Sequence, residues 1–65
     1  MSRTLDQIME EQRVTHVDLA KILGIARSTL YRKLKSQSFK PEEIRKMSEY
    51  LKITDAREIY DIFLC

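Results

Sequence analysis

Residues 15–34 read THVDLAKILGIARSTLYRKL, and this stretch decides the fold. The small residue Ala20 lies inside a short apolar segment, and Gly24 follows four residues later. A small side chain allows a second helix to approach closely, and glycine adopts the left-handed conformation of a tight turn. Ile25 and Leu30 are spaced to fill the angle between the two helices. The spacing therefore predicts two short helices that cross at a steep angle.

The first of these helices is expected over residues 16–23. Thr15 and Asp18 have the three-residue spacing of an N-terminal capping pair, and a glycine ends the apolar pattern. The second helix has a narrow buried edge, because only Leu30 and Leu34 are apolar at helical spacing. Its wide polar and basic face comprises Arg27, Ser28, Thr29, Tyr31, Arg32, Lys33 and Lys35.

Three further helices are predicted around this pair. Upstream, Thr4 and Gln7 form a second capping pair at the start of an apolar stripe, which predicts a helix over residues 3–13. Downstream, Pro41 begins a fourth helix, because the first helical position needs no N–H group. A fifth helix is expected to begin at Asp55. The apolar faces of these three helices are Leu5, Ile8 and Met9; Ile44, Met47 and Leu51; and Ile59, Ile62 and Phe63.

The composition agrees with one all-α domain of five helices over residues 1–65. A hydrophobic share of 43% is too high for a disordered tail, and one glycine and one proline are too few for the turns of a β-sandwich or barrel. Cys65 is the only cysteine, so no disulfide can form within the chain and it is expected to be an inert end. No apolar run is long enough to span a membrane and no signal peptide is recognisable, which predicts a cytoplasmic protein.

The net charge of +2 conceals an uneven distribution. Residues 13–40 hold seven lysines and arginines against the single acid Asp18, whereas residues 1–12 and 41–65 are each net acidic. A basic centre between acidic ends is how a domain presents one electrostatic footprint to a polyanion. The alternative is an ordinary solvated helix face, and charge alone favours neither.

Residues 15–34 resemble the helix-turn-helix of phage repressor and Cro proteins, and GIARSTLYRKLK at residues 24–35 is also similar to the recognition segment of Fis-like bacterial activators. The stretch SFKPEEIRKMSEYLKITDAREIYDIFL at residues 38–64 resembles the C-terminal half of small Cro-like regulators from phages and mobile elements of Gram-positive bacteria. In Fis-like proteins the motif ends the chain, whereas two more helices are predicted here, so the Cro-like family is favoured. The resemblance implies a compact repressor-type domain that regulates transcription by inserting its third helix into the major groove of double-stranded DNA.

The residues expected to contact DNA follow from their place on the third helix and from the resemblance, which by itself implies Arg27, Ser28 and Arg32 for the bases and His16 and residues 35–40 for the backbone. The base-contacting residues are Arg27, Ser28, Thr29 and Arg32. The backbone-contacting residues are His16, Tyr31, Lys33, Lys35, Ser38 and Lys40. Arginine pairs well with guanine, so G·C pairs are expected in the site, while a tyrosine can bind a phosphate, pack on a thymine methyl or lie in the core. The family usually caps its third helix with Ser or Thr; Ala26 stands there in this chain, so the helix either starts later, at Ser28, or relies on water.

Other functions have less support in the sequence. An antirepressor can use the same scaffold to bind another regulator, its basic face meeting an acidic partner. RNA binding is disfavoured because few surface aromatics are available to stack on unpaired bases. No enzyme, cofactor or small-molecule ligand is expected, since paired carboxylates in an apolar setting, triad spacing and a glycine-rich phosphate loop are all missing. His16 is the only histidine and Cys65 is remote from it, so no metal site is expected.

The protein is expected to act as two copies on DNA, because operators are usually read by two recognition helices about 34 Å apart. The C-terminal stretch has more apolar residues than one face of a two-turn helix can bury, which predicts a dimer contact at Tyr60, Phe63 and Leu64. The alternative is that Ile59, Ile62 and Phe63 close the core of a monomer, and that copies pair only on DNA.

Overall fold

The computed structural model describes residues 3–64, and these residues form five α-helices joined by short connections. The helices are α1 (Leu5–Gln12), α2 (His16–Leu23), α3 (Arg27–Ser36), α4 (Pro41–Tyr50) and α5 (Ala56–Phe63). No strand occurs between residues 3 and 64, so the prediction of an all-α, five-helix fold is confirmed. Within the same residues, every helix is too short or too polar to cross a lipid bilayer. Cys65, predicted to be an inert end, lies outside the described residues.

Both predicted capping pairs are present at helix N-termini. At α1, the N–H of Thr4 donates to Gln7 Oε1 at 2.8 Å, and the N–H of Gln7 donates to Thr4 Oγ1 at 3.1 Å. At α2, the N–H of Thr15 donates to Asp18 Oδ2 at 3.0 Å, and the N–H of Asp18 donates to Thr15 Oγ1 at 3.2 Å. The hydrogen bonds from Thr15 lower the pKa of Asp18. α2 has the predicted bounds, whereas α1 is shorter than the predicted 3–13 because Thr4 is its extended N-cap and Arg13 turns left-handed with a φ of 57°.

A single cluster of buried side chains joins the helices. It contains Ile8, Met9, Leu19, Ala20, Leu30, Ile44, Met47, Leu51, Ile53 and Phe63. α2 packs against both α3 and α4, and Leu19 in its middle is fully buried. α4 also packs against α5. α2 therefore contacts both α3 and α4, and it helps to hold α3 against the core.

The end of α5 closes this core. Phe63 is 2% exposed, and its ring lies edge-on to the ring of Phe39 with the centroids 6.1 Å apart. Ile59 and Ile62 are partly buried against the same cluster. The prediction that Phe63 forms a dimer contact is therefore wrong, because its side chain is buried within the monomer. The other two residues predicted for that contact are exposed.

A cluster of charged side chains ties the start of the described chain to α5. The Nε and Nη2 groups of Arg3 donate to the two carboxylate oxygens of Glu58, each at 3.0 Å, and Nη1 donates to Glu11 at 2.6 Å. The same hydrogen bonds raise the pKa of Arg3 above its already high usual value and lower the pKa of Glu58. Because Arg3 and Glu11 are half-exposed, we expect salt to weaken the cluster.

Candidate nucleic-acid interface

The turn between α2 and α3 sets how these two helices pack. Gly24 ends α2 with a φ of 69°, and the N–H of Ile25 donates to the carbonyl oxygen of Ala20 at 3.0 Å. Nothing lies within 4 Å of the position that a Cβ atom would take on Gly24, so this glycine is needed for its backbone angle and not for space. Ala20 is 4% exposed and Leu30 of α3 is fully buried. The structure thus contains the closely packed pair of helices that the sequence predicts.

α3 begins at Arg27, although no side chain caps it. Ala26 occupies the N-cap position with φ and ψ of −72° and 154°, and its carbonyl oxygen accepts from the N–H of Leu30 at 3.0 Å. Of the two expectations for this end, the later start at Ser28 is therefore wrong. Because alanine offers no side-chain acceptor, the first-turn N–H groups of α3 are left to solvent or to an anion.

One face of α3 is exposed and basic. Its residues follow the helical spacing i, i+1, i+4, i+5 and i+8, and they are Arg27, Ser28, Tyr31, Arg32 and Lys35. The charged groups of Arg27, Arg32 and Lys35 form no ion pair with any residue between 3 and 64. Leu30 and Leu34 lie on the other side of the helix, against the core. The structure therefore brings together five of the predicted contact residues, and we call this set the basic face.

Two residues of α3 predicted to contact DNA lie off the basic face. Thr29 is half-buried at its edge. Lys33 points inward, where its Nζ lies 2.8 Å from both carboxylate oxygens of Glu43. The side chains of Lys33 and Glu43 are only 15% and 12% exposed. The prediction that Lys33 contacts the DNA backbone is therefore wrong, because its ammonium group is already neutralised inside the protein.

Glu43 connects α3 to the beginning of α4. Its Oε1 also accepts the backbone N–H of Lys40 at 2.9 Å. Burial acts to raise the pKa of Glu43, but the hydrogen bonds from Lys33 and Lys40 outweigh burial and the pKa is lowered. The sequence contained a signal for this pair, since Lys33 lies three residues after Leu30 and next to Leu34, at the edge of the apolar stripe of α3. A charge on such a stripe needs a partner.

Two predicted backbone-contacting residues meet across the helix-turn-helix. The rings of His16 and Tyr31 have their centroids 5.1 Å apart, and their planes are inclined by 47°. His16 is the first residue of α2 and is half-buried, while Tyr31 is 49% exposed. The alternative that Tyr31 is a core residue is therefore excluded. Residues 3–64 contain no group of three His, Cys, Asp or Glu side chains that could hold a metal ion.

The connection from α3 to α4 carries the remaining predicted contacts. Gln37 ends α3 in the left-handed conformation with a φ of 53°. The hydroxyl of Ser36 donates to the carbonyl oxygen of Arg32 at 2.9 Å and lies 2.7 Å from the hydroxyl of Ser38. These hydrogen bonds order the segment that continues the basic face. The exposed predicted contacts here are Ser38 and Lys40.

Residues 8–37 match the protein-family model described as the helix-turn-helix domain of resolvase. The matched stretch runs from within α1 to the residue that ends α3, so it contains α2, the turn and the whole basic face. No curated protein and no solved structure matches the chain. The geometry and the family match together support a helix-turn-helix domain of the DNA-binding type, without assigning it to the phage repressor and Cro family.

Proposed function

We propose that the chain is a sequence-specific regulator of transcription that binds double-stranded DNA, in the manner of small Cro-like repressors of phages and mobile elements. The observation that carries this proposal is the basic face of α3, whose three cations have no partner among the other described residues. The turn at Gly24 holds this helix against α2 as in other helix-turn-helix proteins, which insert the second helix of the motif into the major groove. The chain then acts as one domain, without catalysis, metal or cofactor.

The proposed contact residues, on the basic face and beside it, divide into two groups. Arg27, Ser28 and Arg32 lie in the first two turns of α3, where a recognition helix reaches base edges. An arginine can donate two hydrogen bonds to guanine, so this group is expected to favour G·C pairs. The second group, which contacts the phosphate backbone, is Tyr31, Lys35, Ser38 and Lys40, and His16 packs beside Tyr31 from the start of α2. Thr29, half-buried, contributes at the edge of the first group.

The number of free cations sets the expected salt dependence of binding. Arg27, Arg32, Lys35 and Lys40 are exposed and lie on α3 or directly after it. If Lys35 and Lys40 alone neutralise phosphates, the logarithm of the binding constant falls against the logarithm of salt concentration with a slope of about −2 for each bound copy, and the slope reaches about −4 if both arginines also do so. Lys33 does not add to this count, because Glu43 already neutralises it.

A binding titration at several salt concentrations tests the proposal. The probes are a duplex of random sequence and a duplex selected by the protein from a random pool. We expect steep salt dependence on both duplexes and tighter binding to the selected one. Arg57→Ala is the matched control, since it removes a positive charge from the exposed side of α5 and should leave the slope unchanged. A slope near zero on both duplexes would contradict DNA binding and would favour the antirepressor alternative.

We further propose that two copies occupy one site. Operators are usually read by two recognition helices about 34 Å apart, in successive major grooves. Tyr60 and Leu64 are 52% and 58% exposed one turn apart near the end of α5, and they are the contact we assign between copies. Sedimentation at micromolar concentration, with and without DNA, tests this contact. We expect Tyr60→Glu or Leu64→Glu to prevent pairing without unfolding the domain, and a dimer unaffected by either change would rule out this surface.

A further inference from the structure

An aromatic pair links the start of α2 to the basic face of α3. Tyr31 is 49% exposed, and an exposed tyrosine loses side-chain freedom when a ligand fixes it. The ring of His16 lies beside the ring of Tyr31, with the centroids 5.1 Å apart and the planes tilted by 47°. A tilted pair of rings at this separation is attractive. The pair therefore favours one orientation of Tyr31 before any ligand arrives.

The position of the pair indicates which part of DNA the tyrosine meets. In a helix-turn-helix, the recognition helix reaches base edges, whereas the helix before it crosses the phosphate backbone. Tyr31 adjoins His16, the first residue of α2, so it lies on the side of the basic face nearest that helix. A phenolic hydroxyl on this side meets a phosphate oxygen, to which it can donate a hydrogen bond.

We propose that His16 is a positioning residue for Tyr31, and that it holds the phenol in the orientation that binds a DNA phosphate. The proposal rests on the DNA-binding function above and makes it more specific. Tyr31 supplies the contact through its hydroxyl group. His16 contributes by packing of its ring and not by its charge, so binding gains from a side chain that is ordered in advance.

A double-mutant cycle tests this division of roles. The proteins are the wild type, His16→Ala, Tyr31→Phe, the double variant, and His16→Phe, which keeps a ring but cannot carry a charge. Each is titrated with the random and the selected duplex. We expect Tyr31→Phe to weaken binding to both duplexes by roughly ten- to a hundredfold, because one hydrogen bond to a charged group is lost.

His16→Ala is expected to weaken binding by no more than the loss in Tyr31→Phe, and the double variant to be no weaker than Tyr31→Phe. His16→Phe should bind within about twofold of the wild type, since the ring contact is kept. None of the changes should alter base preference, because phosphates carry no sequence information. Losses that multiply in the double variant, or a His16→Phe protein as weak as His16→Ala, would overturn the proposal.

Two controls distinguish packing of the His16 ring from a charge contact with DNA and from a loss of folding. Binding of the wild type and of His16→Phe is compared between about pH 5.5 and pH 8, the range over which histidine usually titrates. A pH dependence present in the wild type but missing in His16→Phe would show a direct charge contact and would also overturn the positioning role. Thermal melts of all five proteins show that each is folded under the binding conditions.

The free protein supplies a readout that does not depend on DNA. In NMR spectra of the free wild type, we expect magnetisation transfer between the ring protons of His16 and Tyr31. We also expect the Tyr31 side chain to populate mainly one rotamer in the wild type and several rotamers in His16→Ala. Failure of the wild type to bind either duplex would refute the DNA-binding function, whereas wild-type affinity in His16→Ala would refute the positioning role alone.

Discussion

Replacing Glu43 by glutamine removes the charge that holds Lys33 inside the protein and changes little else. Glutamine keeps the side-chain oxygen that accepts the backbone N–H of Lys40. The ammonium group of Lys33 is then left at 15% exposure without an anion. Removing one partner of a buried ion pair costs about 3–5 kcal/mol, and the residual exposure of both side chains lowers the expected loss to about 2–3 kcal/mol.

A loss of this size is easily measured in so small a domain. A chain of 65 residues has a free energy of unfolding of about 3–10 kcal/mol, and each 1 kcal/mol shifts Tm by about 4–8 °C at this size. We therefore expect Glu43→Gln to lower Tm by roughly 10–20 °C at neutral pH, followed by circular dichroism. Adding Lys33→Met to this variant should restore most of the loss, because no unpaired charge remains. The matched change Lys35→Met, on the exposed side of the same helix, should alter Tm little.

The pH dependence of this difference completes the test. Burial acts to raise the pKa of Glu43, the hydrogen bonds from Lys33 and Lys40 act more strongly to lower it, and the folded pKa lies below the usual value. A carboxylate of this kind stabilises the fold above its unfolded pKa of about 4.3, and the stabilisation is lost as the pH falls through the folded pKa. The Tm difference between wild type and Glu43→Gln should therefore be largest at neutral pH and should become smaller below about pH 4. If the wild type and Glu43→Gln had nearly equal Tm values at neutral pH, or if their Tm difference persisted in acid, a charged and buried Lys33–Glu43 pair would be refuted.

Changes at other positions test the interface and its support. Arg32→Ala should weaken binding to the selected duplex by about 1–3 kcal/mol and flatten the preference at one base pair, whereas Lys35→Ala should weaken all duplexes alike. Competition with single-base variants of the selected duplex distinguishes these outcomes, and a changed base preference in Lys35→Ala would mean that the assigned face of α3 is wrong. Gly24→Ala should lower the free energy of unfolding by about 1–2 kcal/mol in chemical denaturation, because the φ of residue 24 is 69°. Gly24→Asn should lower it by less, and equal stability of the wild type and both variants would argue against backbone strain. Arg3→Gln should lower Tm slightly, and the Tm difference from the wild type should shrink in high salt. A large decrease in Tm that does not depend on salt would contradict a solvent-exposed ion pair between Arg3 and Glu58.

Helix positions could be predicted from the sequence because their signals are local. Thr15 and Asp18 lie three residues apart, and the hydrogen bonds between them depend only on the first turn of α2. Gly24 marks the end of that helix for the same reason, since its φ of 69° is a property of one residue. Ala26 shows the limit of this reasoning, because α3 starts after it without the usual side-chain cap.

The Lys33–Glu43 pair was only half predictable. Lys33 flanks the apolar stripe of α3, but the pattern also allows it on the wide polar face, and residues 41–65 contain six acidic residues among which nothing in the sequence selects a partner. The choice of Glu43 depends on how the first turn of α4 packs beside α3. That packing is a tertiary property.

Contacts between distant parts of the chain were not predictable from patterns. Arg3 and Glu58 are 55 residues apart, and an exposed arginine has many acids within reach in an unfolded chain. The edge-on contact of Phe39 with Phe63 likewise depends on the path of the chain between α3 and α4. The periodicity of α5 shows that the helix is amphipathic, but it does not decide which apolar residues enter the core, so the sequence left a dimer contact and closure of the monomer core as alternatives for Phe63.

α3 is held at both ends by residues that do not belong to the basic face. Gly24 fixes its approach from α2, and the Lys33–Glu43 pair fastens its second half to α4. Arg27 and Arg32 form no ion pair with any other part of the described chain. If these two arginines contact base edges as proposed, new side chains there can be selected for a different DNA sequence while the scaffold stays folded, so mutation can retarget the domain in single steps. A library randomised at both positions should consist mainly of folded proteins with altered base preference.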